Sequence, residues 1–271
     1  MTADPEMPVL LVADVSVQFG GLRALDGVTL EVAADEVVGL IGSNGAGKTT
    51  LMDCISGFVQ PDAGSIRAFG HELVGLPPEL RPYADVGRSF QDARLYPGLT
   101  VEETLLVSVE RRVPVRVLPA LLGLPGARRI EREKRTMVDD LLDLVGLGTY
   151  RDKLVSELST GTRRIVDIAT ILAQRPKLLL LDEPTSGIAQ KESEAFGPLM
   201  LRVKEDLGCA VLIIEHDMPL ITGLSDRIYA LEAGRVIAVG TPNEVTRDDR
   251  VIASYLGTDQ AAIRRSGALT P

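Results

Sequence analysis

Tryptophan is absent from this 271-residue chain, and five Phe and five Tyr are its only large aromatics. A platform for stacking nucleic-acid bases is therefore not expected. Basic charge is short as well. With 29 Lys and Arg against 38 Asp and Glu, the net charge is −9, which disfavours a broad nucleic-acid-binding face. The two cysteines, Cys54 and Cys209, fall in apolar segments and read as reduced core residues, consistent with a cytoplasmic compartment. No run reaches the roughly 18 uninterrupted apolar residues that a membrane-spanning helix needs. Residues 115–124 are apolar, but Pro119 and Gly123 break them. The N-terminus lacks a basic region followed by an apolar run, so no signal peptide is expected. No internal repeat is visible. The 45% hydrophobic content is enough for a large core, in one domain or in one domain with a lobe.

Glycine, by contrast, is plentiful, and one cluster of it organises the chain. Gly42-Ser43-Asn44-Gly45-Ala46-Gly47-Lys48-Thr49 is a complete G-x-x-x-x-G-K-[ST] phosphate loop. Residues 36–41 before it read as a buried strand, and residues 48–56 after it read as a helix. The glycines let consecutive N–H groups point inward at an anion, and the helix N-terminus, where Thr50 follows, adds partial positive charge. Lys48 can reach the β- and γ-phosphates of a nucleoside triphosphate, and the Thr49 hydroxyl can ligate Mg²⁺.

Around this loop the periodicity predicts several elements. Residues 9–19 and 28–32 read as strands of an antiparallel layer beside the nucleotide, with a turn at Gly20-Gly21. Phe19, at the end of the first, is open to two readings, a ring stacked on adenine or a core residue. Residues 64–70 and 86–91 are further strands. Thr100-Val101-Glu102-Glu103 is a capping box that opens a helix running to about Arg111. Prolines 114, 119 and 125 make residues 112–126 irregular. Residues 127–145 form a helix with Ile130, Met137, Leu141 and Val145 on one face. Another helix follows Leu158-Ser159-Thr160-Gly161-Thr162, with Ile165, Ile168, Ala169 and Leu172 on its apolar stripe. Four leucines, 178–181, suit a central parallel strand, and it ends in Asp182 and Glu183. Two carboxylates beside a core need a cation or donors. A Mg²⁺–nucleotide supplies the cation, with Asp182 holding the metal and Glu183 deprotonating the attacking water. Residues 209–214 form another buried strand that delivers His216 to its C-terminal end, where open α/β sheets place ligands. A hairpin around Ala233-Gly234 and a helix capped by Thr241 complete the pattern, before a loose tail from 258 to 271.

Taken in this order, the phosphate loop, Gln91, the 158–162 segment, Leu178–Glu183 and His216 resemble the ATP-binding subunits of ABC transporters. The resemblance covers about residues 9–257. The phrases Phe19-Gly20-Gly21-Leu22, Gly87-Arg88-Ser89-Phe90-Gln91, Ile214-Glu215-His216-Asp217-Met218 and the terminal 251–257 are similar to the branched-chain amino-acid importer group, to which lipopolysaccharide-transport ATPases are close. The resemblance implies an α/β fold, a RecA-like P-loop NTPase core with an antiparallel β layer. The nucleotide-binding domain would span 8–257, with an inserted helical subdomain at about 92–165. It implies ATP and Mg²⁺ as ligands, with Phe19 stacked on adenine and Gln91 sensing the metal and the γ-phosphate. His216 would contact that phosphate, and Ser159 and Gly161 would bind a nucleotide held by the opposite subunit of a head-to-tail homo- or heterodimer. It also implies membrane subunits as partners, at the cytoplasmic face of the cell membrane, and no nucleic acid. Thr162 stands where Gln is usual in the family, Thr160 where Gly is common, and Ala189 where Asp or Asn is usual.

Overall fold

A computed structural model describes the protein over residues 7–89, 95–113, 125–188 and 190–255. Gln91 and Ala189 therefore lie outside the described residues, as do 114–124 and the tail from 256 onward.

The four-leucine run shows how the sheet is built. Side chains alternate across a strand. Leu178 and Leu180 enter one hydrophobic cluster while Leu179 and Leu181 enter another on the opposite face. Strand β7 (Leu178–Asp182) is thus buried on both sides, as a central parallel strand must be. Its neighbour β8 (Ala210–Ile214) splits the same way, and β3 (Val37–Ile41) contributes Val38 and Leu40 to the first cluster. With β6 (Val86–Arg88), β9 (Arg227–Glu232) and β10 (Arg235–Gly240) they form a six-stranded sheet in the order β10-β9-β3-β8-β7-β6. All its neighbours are parallel except the β9–β10 hairpin.

A second, antiparallel sheet has the order β2-β1-β4-β5. It contains β1 (Leu10–Phe19), β2 (Leu22–Val32), β4 (Ala63–Ala68) and β5 (His71–Glu72). The strand expected at 28–32 begins six residues earlier, because Phe19 pairs directly with Leu22 across the tight Gly20-Gly21 turn. Register shifts between Val12 and Val17, where Asp14 takes a positive φ of 51°, let two long strands stay paired while they curve. The first cluster lies between the two sheets around helix α1 (Lys48–Ser56).

The opposite face of the large sheet is covered by helices. These are α2 (Val101–Val109), α3 (Pro125–Val145), α4 (Thr160–Leu172) and α5 (Gln190–Leu207). The Thr100 capping box forms as expected, with the Glu103 amide on the Thr100 hydroxyl and the Glu103 carboxylate on the Thr100 amide. Helix α5 went unread in the sequence, since Gly197 and Pro198 interrupt it. It forms because Phe196, Leu199, Met200 and Val203 are buried on one stripe, and that burial outweighs the local penalty. Helix α6 (Met218–Leu224) follows β8. The last helix expected from Thr241 is a single turn, α7 (Pro242–Val245), and a further helix, α8 (249–255), continues from it.

Leu180 is completely buried. Replacing it with Ala should lower unfolding stability by about 2–5 kcal/mol in a urea titration. A loss under about 1 kcal/mol would show that β7 is not a tightly packed central strand.

Candidate functional site

The order β3-β8-β7 fixes the site. Three neighbouring parallel strands end together, and each delivers functional groups from its carboxyl end, where such sheets place ligands. From β3 comes the phosphate loop, from β8 come Glu215 and His216, and from β7 come Asp182 and Glu183.

The loop is held closely. Gly47 takes φ 105°, and a Cβ there would lie 2.6 Å from the Ala24 carbonyl oxygen, so a side chain is excluded on two grounds. The Gly234 amide donates to the Ala46 carbonyl at 3.0 Å, pinning the loop to the β9–β10 turn. Helix α1 starts at Lys48 with no side-chain cap on its first amides and no acid in its first turn. That leaves a positive helix end facing the cavity, suited to an anion.

Lys48 is only 6% exposed, and its ammonium donates to the carbonyls of Gly42 at 2.7 Å and Ser43 at 3.2 Å. Burial lowers its pKa, and the negative charges of Glu183 and Asp182 pull it partly back. A cavity of about 270 Å³ opens here, lined by Phe19, Leu22, Asn44 to Thr50 and Glu183. Thr49 and Thr50 therefore face the same space as Lys48. Phe19 is half exposed at its rim, so the core reading of that ring is excluded.

Glu183 takes a positive φ of 45°, unusual for a residue with a side chain and costing on the order of 1–3 kcal/mol. Its surroundings hold it there. The Glu183 amide donates to the Ile214 carbonyl at 3.0 Å, and its Oε1 lies 2.7 Å from His216 Nε2. Glu215 staples the two strand ends: Oε1 accepts from the Thr185 amide and hydroxyl, and Oε2 accepts from the His216 amide. Asp182 is buried, and desolvation raises its pKa. Arg88 opposes that shift, with Nη2 donating to Asp182 Oδ2 at 3.2 Å while Nη1 donates to Asp53 Oδ1 and Ser56 Oγ on α1.

A buried guanidinium organises the same corner from the other side. Arg164 of α4 donates from Nε to the Pro184 carbonyl at 3.2 Å, and from Nη2 to those of Asp182 and Glu183 at 3.1 and 3.2 Å. Ser159 caps α4 by accepting from the Thr162 amide at 3.1 Å, and its hydroxyl is 2.9 Å from that of Thr162. Ser159 is exposed and Gly161 buried, and neither lines the Lys48 cavity. Reading the sequence missed Arg164, although a signal existed. It lies four residues before Ile168 and eight before Leu172, on the buried stripe, where a lone charge demands partners. The links from Arg88 to Asp182 and from Glu215 to Thr185 join distant segments and leave no local pattern.

A sequence profile described as ABC transporter matches residues 25–186, and one described as branched-chain amino acid ATP-binding cassette transporter matches residues 235–261. The chain is 38% identical over 250 residues to the high-affinity branched-chain amino acid transport ATP-binding protein BraF of Pseudomonas aeruginosa, covering 92% of this chain and 98% of that protein. It is 37% identical, with the same coverage, to LivG of Escherichia coli K12, which carries the same description. Among solved structures, the ADP conformation of an ATP-binding cassette of an ABC transporter superposes with a TM-score of 0.78 at 29% identity, covering 93% of this chain and 99% of that one. A nucleotide-free ATP-binding cassette matches with a TM-score of 0.77 at 28% identity, covering 92% and 99%.

Arg164→Met would take the guanidinium donor from three carbonyls at the end of β7, of which, among the described residues, only that of Glu183 keeps a second donor, the Ser186 amide. Each buried group left unsatisfied costs about 1–3 kcal/mol, so the variant should unfold at clearly lower denaturant. An unchanged midpoint would mean that Arg164 does not hold this corner.

Proposed function

The chain belongs to the ABC transporter ATPase family, and from that membership we propose that it is the ATP-hydrolysing subunit of an importer for branched-chain amino acids or related small polar solutes. The cargo assignment is supported by similarity, along nearly their whole length, to relatives described as branched-chain amino acid transport ATP-binding proteins. One observation carries the residue assignments: Lys48 and Glu183 face one cavity below uncapped helix amides, and Asp182 precedes Glu183 at the end of β7.

In this reading residues 8–257 form one nucleotide-binding domain, with a helical subdomain at about 92–165. Phe19 stacks on adenine. The amides of residues 42–50 and the Lys48 ammonium bind the phosphates, and Lys48 exchanges its carbonyl partners for phosphate oxygens. The oxygen donors suit Mg²⁺: a hydroxyl on the cavity wall, and a buried carboxylate whose desolvation favours a cation beside it. Thr49 and Asp182, with Gln91, would hold Mg²⁺, which supplies charge neutralisation to the phosphoryl group in transit.

Glu183 is the general base. With Nε2 protonated, His216 donates to Oε1 and fixes the carboxylate, so that Oε2 accepts a proton from the attacking water. The water oxygen attacks the γ-phosphorus in line, and the bond to the ADP oxygen breaks. His216 also contacts the γ-phosphate. Ser159 and Gly161 serve the nucleotide of a second ATPase subunit, identical or different, in a head-to-tail dimer holding two ATP molecules. The exposure of Ser159, and its place outside the lining of its own chain's cavity, support that division of labour.

Among the described residues no helix is long and apolar enough to cross a membrane. That suits a peripheral subunit docked on membrane-embedded partners at their cytoplasmic side, to which Gln91 reports the state of the nucleotide.

Glu183→Gln should still bind ATP but turn it over about 10²–10⁴-fold more slowly, accumulating as an ATP-bound dimer in size-exclusion chromatography. Normal phosphate release by that variant would remove Glu183 as the base. Lys48→Ala should lose ATP affinity in a titration, and unchanged affinity would contradict the phosphate cradle.

A further inference from the structure

The terminal 251–255 segment has no part in the chemistry described above, yet it reaches the phosphate loop. In α8 the buried Val251 packs in a cluster with Ile41, Ile228, Ala238 and Val245, and Tyr255 lies against the same cluster. This packing brings the Tyr255 ring to the junction of β3 and the loop. Its Oη accepts the Gly42 N–H at 3.0 Å, across 213 residues of sequence.

Gly42 is held from several sides. Its amide donates to Tyr255, and its carbonyl accepts from the Lys48 ammonium. A Cβ added to it would lie 2.3 Å from the Leu231 carbonyl oxygen, so the backbone is pressed directly against β9. Gly42 is buried, and a buried N–H needs an acceptor. Tyr255 is that acceptor. The loop can bind phosphate only while its amides keep a common aim, and Gly42 is the residue from which the loop departs.

We propose that α8 is a latch on the phosphate loop and that Tyr255 is a positioning residue for nucleotide binding. The proposal rests on the nucleotide-binding reading of the loop. The C-terminal segment then keeps the empty loop in its binding-competent form. Affinity falls in proportion to the fraction of molecules in that form. Losing one hydrogen bond of ordinary net strength should cut that fraction enough to weaken binding about 2- to 10-fold.

The test compares three full-length proteins, the wild type, Tyr255→Phe and Val245→Ala. The phenylalanine keeps the ring packed and removes the hydroxyl that accepts the Gly42 N–H. Val245→Ala removes buried apolar surface from the same cluster and leaves Tyr255 its hydroxyl. Two quantities are read: the dissociation constant for a fluorescent ADP analogue, and the exchange rate of the Gly42 amide without nucleotide. Tyr255→Phe should raise the dissociation constant about 2- to 10-fold and speed Gly42 exchange. Val245→Ala should lower the thermal midpoint and move neither quantity as far. Unchanged affinity and exchange in Tyr255→Phe would overturn the latch, as would a loss of affinity no larger than that in Val245→Ala. If the wild type bound no nucleotide, the nucleotide reading itself would fail, and the Gly42 exchange rates would still report whether the bond exists.

Discussion

The ammonium of Lys48 is nearly closed off from water, and the site is arranged around that fact. A buried cation is expensive unless its surroundings return the hydration it has lost. Two backbone carbonyls do part of this work, and the fields of Glu183 and Asp182 add to it, although burial still dominates and lowers the pKa. Carbonyls are poor substitutes for an anion. A triphosphate delivered to the same cavity would give Lys48 full charge partners, and would give the uncapped amides of α1 the acceptors they lack. Binding energy thus comes from charges that the fold has already collected.

Holding the acids in place requires a second set of charges. Asp182 and Glu183 sit side by side at the end of a strand buried on both faces, where the Glu183 charge and desolvation both work against the Asp182 carboxylate. Arg88 and Arg164 answer from different directions. Arg88 pairs with the Asp182 carboxylate and anchors it to α1. Arg164 bonds to the backbone carbonyls of Asp182, Glu183 and Pro184 and leaves both carboxylates to other partners. The positive φ of Glu183 is the visible sign of this constraint: the backbone is held in an unfavourable conformation so that the carboxylate meets His216.

Much of this was legible in the sequence because the relevant signals are local. The phosphate loop, the leucine strand with its two acids, and the Thr100 capping box each lie within eight residues, and each folds as its pattern predicts. What escaped was either masked by a local contradiction or spread across the chain. Helix α5 carries Gly and Pro in its interior, and only its burial against the sheet reveals why it forms. Phe19 could not be assigned from its strand alone, because exposure at a cavity rim depends on what β3 and α1 place beside it. Arg88, Arg164, Glu215 and Tyr255 act over separations of 18 to 213 residues. Their partners are set by strand order, which one sequence does not encode locally.

The proposed dimer would ask one helix, α4, to serve two nucleotides. Ser159 lies exposed at the tip of α4, and Arg164 lies five residues on, about 7.5 Å along the axis at the usual helical rise. In the dimer proposed above, the tip would face a nucleotide bound by the partner, while Arg164 holds the backbone of the two acids beside the nucleotide site of its own chain. The 13-residue helix links the two ends directly, so in that dimer a displacement at its tip would reach the carbonyls of Asp182 and Glu183 without a relay of flexible groups. The Thr162 hydroxyl, 2.9 Å from that of Ser159, lies at the same tip. The departure of Thr162 from the family pattern therefore falls where contact with a partner would be made. The bonds from Arg164 to the carbonyls of Asp182 and Glu183 lie beyond it along α4.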